Sequence, residues 1–421
     1  MRRHAATHLG GGGDLRARFA CVTSSSDAAA KVDSTRAGLA PLYAAGFVTA
    51  FGANGVAAVV GGTHQELGLS LAWLGLFLAL YDVAELILKP IFGALADRIG
   101  PKPVIIGGLI GFGLASLIGV FLTGPASLAV TRLLQGAGAS AFSPASSAAV
   151  ARLAPAHLKA TYFGRHGSWK GLGYAGGPVI GAGIVLLTDI RILFAVLAVI
   201  SFGTAIAVFI AVAPITPLPR QRSTMATLMR AITARDFLIP VVVLSIGSAA
   251  IGALTGMLPA LATSLGIPLL AATAAITVLA VTSALAQPWV GRWNDTGRIR
   301  TRTASIAGTA SVAFAFLLVG TLPGAVTILL AALLTGIGVA ILTPVAFGHL
   351  AATSPPDRLG RTMGTAELGR ETGDAIGPLV VGGVGMISLP LGFAAFGLLA
   401  AAGILAAFRL PDRNEASASS A

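Results

Sequence analysis

GRHGSWKGLGYAGGPVIGAG, residues 164–183, returns 200 residues later as GTAELGRETGDAIGPLVVGG, residues 364–383. Gly164, Gly173, Gly177 and Pro178 fall on Gly364, Gly373, Gly377 and Pro378; Gly181 has Gly382 as its near match, and Lys170 falls on Arg370. The frame extends upstream: Gly136 and Gly138 fall on Gly336 and Gly338, Ser143-Pro144 on Thr343-Pro344, and Pro155 on Pro355. A gapless register over about fifty residues marks a duplicated helical unit. Both copies are apolar throughout, so the repeat belongs in a bilayer rather than in a solenoid.

Composition agrees. Of 421 residues only 10% are charged and 55% are hydrophobic, with a mean hydropathy of +0.86. A soluble core cannot bury that much apolar surface, whereas a bilayer can. The net charge of +12 would suit nucleic acid, but no basic patch is interleaved with aromatics, so nucleic acid is not an expected partner. Cys21 is the single cysteine, which excludes an intramolecular disulfide and a cysteine metal cluster. No metal site and no cofactor is expected.

Residues 1–37 are polar and mixed in charge, without the apolar run of a signal peptide, and read as a disordered cytoplasmic tail. Twelve apolar stretches follow, at 38–62, 70–95, 103–123, 126–152, 161–187, 191–214, 237–262, 268–290, 303–322, 324–351, 362–386 and 388–408. Each holds about 20 residues or more, enough for about 30 Å of hydrocarbon. Backbone groups in lipid must bond within their own segment, so these are helices. The expected architecture is all-α: two six-helix bundles, 38–215 and 237–409, joined by a cytoplasmic linker at 216–236 and closed by a tail at 410–421. Within the linker Met225, Leu228, Met229 and Ile232 share one side, as a strap on the lipid surface would require.

Lys and Arg crowd into alternate loops: Arg98 and Lys102; Arg152 and Lys159; Arg220, Arg222, Arg230 and Arg235; Arg292, Arg298, Arg300 and Arg302; Arg358 and Arg361; Arg409 and Arg413. The intervening loops hold none except Arg191. This asymmetry places both termini and the linker in the cytoplasm, as for a multi-pass protein of the inner (plasma) membrane. Trp289 and Trp293 suit an interfacial anchor.

The loop after the second span reads GALADRIGPKP, with Gly93, Asp97, Arg98, Gly100 and Lys102. Gly100 permits a tight reversal, and Asp97 can cap a neighbouring helix or pair with an Arg. GRWNDTGR answers it after the eighth span, with Gly291, Asp295, Gly297 and Arg298. This loop resembles the signature of the major facilitator superfamily, Gly-x3-Asp-Arg/Lys-x-Gly-Arg/Lys. Pro101 stands where many members carry a basic residue. In the fourth span Arg132, Gln135, Gly136 and Gly138 resemble the family's Arg-x2-Gln-Gly-x-Gly. Gly164, Gly173, Gly177, Pro178 and Gly181 resemble the antiporter signature of the fifth span, with Ala182 in place of its last Gly. The resemblance runs from about residue 38 to 408 and implies the twelve-helix transporter fold, a monomer, and proton-coupled drug antiport. It also implies a role in proton coupling for Arg132; an Arg that only holds two helices together is the alternative. Physically, Gly173, Gly177 and Gly181 make a smooth stripe on which another helix can lie, and Pro178 removes one backbone bond. Gly171–Gly176 spells GxGxxG, but inside a membrane span it lacks the βαβ unit a dinucleotide site needs.

Ionisable groups inside the spans each cost roughly 2.5–3.5 kcal/mol on insertion scales and are functional candidates by default. Asp82, Glu85 and Lys89 share a face of the second span; Glu367, Arg370, Glu371 and Asp374 share one of the eleventh; the fifth adds His166 and Lys170. Three readings stand. Carboxylates, led by Asp82 and Glu371 with Asp374, carry protons. Lys170 and Arg370 clamp an anionic substrate. Or the charges are internal pairs, Glu85 with Lys89 and Glu367–Arg370–Asp374, for packing or gating. Glu367 falls nearest the cytoplasmic face, where solvent could reach it. Family architecture sets the second and eleventh helices side by side, which would let Asp82 or Glu85 pair with Arg370. Asn54 and Gln287 are candidate polar groups of a central cavity, and Glu85 and Gln135 join Lys170 and Arg370 as candidates for substrate binding or gating.

The sequence thus points to proton-coupled efflux of a small amphipathic compound by alternating access. One alternative is a transporter of an anionic metabolite using Lys170 and Arg370; another is a membrane scaffold or sensor that transports nothing. No nucleophile–base arrangement suggests an enzyme. The expected partners are the lipid bilayer, a small-molecule substrate and protons.

Overall fold

The structure, a computed structural model, describes residues 39–57, 59–60, 71–121, 124–217, 234–355 and 358–410. The tail at 1–37 and nearly all of the linker, including the proposed strap, lie outside the described residues. Twelve long helices and no strand are found among them: α1 Leu39–Ala57, α2 Leu71–Ile99, α3 Pro101–Phe121, α4 Pro125–Leu153, α5 Lys159–Leu187, α6 Ile190–Ala211, α7 Arg235–Ser264, α8 Leu269–Asp295, α9 Thr301–Thr321, α10 Ala325–Thr353, α11 Leu359–Gly385 and α12 Leu389–Ala407. All twelve apolar stretches are helices, and most ends fall within three residues of those expected. The exceptions are α1, described as helix to Ala57 and at 59–60 against an expected end at 62, and α2 and α8, which run past the apolar residues into polar turns to Ile99 and Asp295.

Nine of the helices are long and apolar enough to cross a bilayer by composition alone. Neither α11, with four charged residues in two turns, nor α4, rich in Ser and Gly, is among them. Both are shielded instead: α4 packs on α2 and α3, and α11 on α7, α2 and α12. A helix covered by its neighbours need not match the lipid.

The duplication read in the sequence is present in the packing. Gly173 and Gly177 of α5 lie on α1, where a side chain at Gly173 would come 2.7 Å from the Phe47 carbonyl oxygen. In the second half Gly373 and Gly377 of α11 lie on α7, against the carbonyls of Ser245 and Ala249. A side chain at Gly138 would come 2.9 Å from the carbonyl of Gly108 on α3, and one at Gly338 would come 2.8 Å from that of Gly308 on α9. Lys102 Nζ donates to the Phe209 and Val212 carbonyls at the end of α6, and Arg302 Nε to the Leu410 carbonyl after α12. Helix prolines recur in pairs as well: Pro90 with Pro288, Pro144 with Pro344, Pro178 with Pro378.

These small-residue seams bring backbones together where dispersion, not water exclusion, holds helices in lipid. Gly377→Val should therefore destabilise the protein by about 1–3 kcal/mol through overpacking, since its Cβ would collide with the Ala249 carbonyl oxygen. Gly183→Val, where no described residue lies within 4 Å, should be neutral. Thermal unfolding in detergent reads the difference, and equal midpoints for both variants would contradict the seam.

The largest buried apolar cluster fills the first half and reaches across to Leu244, Phe347, Leu350 and Met363; a second fills the other half. The halves meet where α2 packs on α11 and α5 on α8 and α10.

Candidate functional site

Lys170 and Arg370 each lie eleven residues into their helices, about 16 Å along the axis at 1.5 Å per residue. At that depth side chains from α2, α5 and α11 form one line of alternating charge. Lys89 Nζ contacts Glu85 Oε1 at 2.7 Å, one turn away on α2, and also Glu371 of α11. Glu371 Oε1 accepts from Arg370 Nη2 at 2.8 Å; Arg370 Nε donates to Glu367 Oε2 at 3.0 Å; Lys170 Nζ of α5 reaches the same oxygen at 3.3 Å. Ser147 of α4 donates to Glu367 Oε1 at 3.2 Å. Three cations face three carboxylates, so the line is neutral. Lys89 is fully buried and Glu367 is 2% exposed. Charges this deep persist only when paired. Both Lys89–Glu371 and Lys170–Glu367 cross from one half to the other.

One end of the line opens on a cavity with empty space of ≈ 580 Å³, including its mouth. Lys170, Glu367 and Arg370 line it, together with His166 and Tyr174 of α5, Ser248 of α7 and Gln287 of α8. Phe163 of α5 and Phe347 of α10 also line it, stacked across the halves with centroids 5.3 Å apart.

A second group lies on α2 and α4. The Arg132 guanidinium sits over the Tyr81 ring, 4.2 Å from its centroid, and donates to Gln135 Oε1 and to the Ala53 carbonyl of α1. Gln135 in turn donates to Ser116 of α3 at 2.9 Å. Arg132 thus ties four helices together. Asp82, next to Tyr81, is exposed, and Arg132 is the cation whose field it feels most. Asp374 is half-buried, with Oδ1 beside Gly252 of α7.

At the end carrying the basic loops, each signature Asp caps a helix of the opposite half. Asp97 accepts from the backbone N–H groups of Gly360 and Arg361 at the start of α11, at 2.9 and 2.8 Å. Asp295 does the same for Ala160 and Thr161 at the start of α5, at 3.1 and 2.6 Å. A carboxylate there meets both the unpaired donors and the positive end of the helix dipole. Arg152 adds a 2.6 Å ion pair to Asp97. Gly93 lets α2 approach the Gly360 carbonyl closely, and Gly291 sets α8 against that of Ala160. After each Asp the chain turns at a left-handed glycine, Gly100 (φ 90°) and Gly297 (φ 73°), where a side chain would be strained. Arg98 is exposed beside this contact.

Several expectations are corrected. Glu367 is not solvated; Ser147, Lys170 and Arg370 surround it. Arg370 pairs with neither Asp82 nor Glu85, because Lys89 stands between and takes Glu85 and Glu371. In the third reading's triad, Glu371 rather than Asp374 is the second partner of Arg370. Lys170 and Arg370 do face each other across the halves, but both hold Glu367. Asn54 turns back on its own helix, donating to the Ala50 carbonyl at 2.9 Å. Gln287 does line the cavity. Sequence reasoning missed Ser147 and Tyr81. Ser147 sits in a run of Ser and Ala with no distinguishing spacing; Tyr81 was findable only as an aromatic beside Asp82.

The Major Facilitator Superfamily family model matches residues 42–252 and again 238–421. Quinolone resistance protein NorA of Staphylococcus aureus is 32% identical over 117 residues, 28% of this chain and 30% of its own length. The class H tetracycline resistance protein of Pasteurella multocida is 34% identical over 116 residues, 28% of each chain. The match thus spans under a third of these curated relatives. Two solved structures share the fold over nearly the whole chain. The human organic anion transporter MFSD10 (TETRAN) has a TM-score of 0.73 at 18% identity, covering 89% of this chain and 99% of its own. The Escherichia coli fucose:proton symporter FucP has 0.72 at 16%, covering 88% and 97%.

Proposed function

The chain belongs to the major facilitator superfamily, and from that premise we propose that it is a secondary transporter exporting a small amphipathic compound in exchange for protons. The observation that carries this reading is the line of six alternating charges, because two of its links join the halves at the depth of the cavity. Such links must break and re-form if one half rocks against the other. The Asp97 and Asp295 caps close the end bearing the basic loops; read as the cytoplasmic end, this is an outward-facing arrangement in the inner membrane, with both termini inside. The bundles are taken as 38–215 and 237–409, working as one monomer.

Protons enter this scheme through carboxylates. Protonating Glu371 would release Lys89 and Arg370 together, loosening α2 from α11. Asp82, exposed beside Arg132, and Asp374, one turn beyond Arg370, are the further candidate carriers. Lys170, Arg370, Glu85 and Gln135 serve substrate binding or gating. Partial similarity to quinolone and tetracycline resistance proteins supports efflux. A scaffold that transports nothing needs no cavity at a charged interface.

Proteoliposomes with an imposed pH gradient, tested against a panel of amphipathic solutes, check this. Flux of at least one solute should follow the gradient and fall to the basal leak when a protonophore dissipates it. Glu371→Gln should make flux independent of the gradient. Flux indifferent to the gradient removes proton coupling; no flux of any solute removes transport.

A further inference from the structure

The cavity wall is charged unevenly. In the 200-residue register Lys170 falls on Arg370, so each half supplies one cation at matching height. The carboxylates have no such mates: Glu367 falls on Gly167 and Glu371 on Gly171. Of the three charged residues lining the cavity, two are cations and one is a carboxylate. Both cations share one oxygen, Glu367 Oε2, at 3.3 and 3.0 Å, while Ser147 takes the other. Three more wall residues bear buried polar atoms with no hydrogen-bond partner among the described residues: His166 Nδ1, Ser248 Oγ and Gln287 Oε1. Leaving such groups unsatisfied is unfavourable, so the wall suits a ligand with polar atoms. The stacked Phe163 and Phe347 line the same cavity.

We propose that this cavity binds a small organic monoanion with a flat apolar body, whose acid group competes with Glu367 for Lys170 and Arg370. A monoanion that takes Lys170 leaves Glu367 held by Arg370 and Ser147, whereas a cation would have to displace both Lys170 and Arg370 from Glu367. The acid group would pair with Lys170 from within the cavity. The flat body would lie against the aromatic pair. Because Lys170–Glu367 joins the halves, a ligand that takes Lys170 also removes that link. The inference rests on the transport reading only in treating the ligand as cargo.

Isothermal titration of the full chain in detergent with 2-naphthoate, 2-naphthamide and 2-naphthylmethylammonium tests it. Naphthoate should bind about tenfold or more tighter than the amide, the worth of a charge-assisted pair, and the cation should bind most weakly. Lys170→Gln should lose about that factor for naphthoate and leave the amide unchanged. Glu367→Gln should bind naphthoate more tightly, since the competing carboxylate is gone, and naphthoate should raise its thermal midpoint more than that of the unchanged protein. Preferential binding of the cation, or weaker naphthoate binding by Glu367→Gln, overturns the proposal. If Glu367→Gln does not fold, the order of the three probes on the unchanged protein decides. Binding needs no flux: naphthoate bound but never transported defeats the transport reading alone, and a cation preferred and transported defeats this one alone.

Discussion

Lys89→Met should unfold at a markedly lower temperature than the unchanged protein, with a loss of about 3–5 kcal/mol, the range for breaking a buried ion pair from one side. Lys89 is fully buried and serves two carboxylates, Glu85 and Glu371. Its removal leaves three carboxylates against Lys170 and Arg370. The discriminating result lies in the double variants. Lys89→Met with Glu85→Gln removes the outer pair and leaves Glu371–Arg370–Glu367–Lys170 balanced, so it should recover most of the loss. Lys89→Met with Glu371→Gln leaves Glu85, 6% exposed, without its cation, and should not. Thermal unfolding of the three variants in one detergent suffices. Should all three match the unchanged protein, the alternating line is not what holds α2 to α11.

The second large effect concerns the end bearing the basic loops. Asp97→Ala combined with Asp295→Ala removes four N–H···carboxylate bonds that cross between the halves, together with the Arg152 ion pair. Helix caps are worth about 1 kcal/mol and carboxylates at a helix start up to about 2. The pair should therefore shift the balance towards separation at this end by about 2–4 kcal/mol, about 30- to 1,000-fold in population. Spin labels at Ile99 and Arg298, exposed at the ends of α2 and α8, would report a longer distance in the double variant. An unchanged distance distribution in the double variant would rule out the caps as the closing element.

Much of this was written in the chain. The apolar stretches determined twelve helices because a lipid-exposed backbone has no other way to satisfy its hydrogen bonds. The repeated glycines determined the two-fold relation because close helix approach tolerates little else at those positions. The candidate site was legible as a set of ionisable residues, since any charge within an apolar span stands out. The partners of those charges were not. Glu85 with Lys89 and Glu367 with Arg370 were readable, being one turn apart on one helix. Lys89 with Glu371, Lys170 with Glu367, and Ser147 with Glu367 join residues about 200 or more positions apart.

Those long-range pairings set the correction for Arg370: the position predicted to pair with α2 does so only through Glu371 and Lys89. Helix rotation and height decide such contacts, and a shift of one residue, about 100° around the axis, would turn Lys89 from α11. The sequence by itself therefore determined the number of helices, their duplication and which residues bear charge, because each is a property of a single segment in lipid. Only the tertiary structure decided that six of those charges form one neutral line across the halves, and that two cations share one carboxylate at a cavity. Those outcomes depend on how separate helices are rotated against one another, which no single segment encodes.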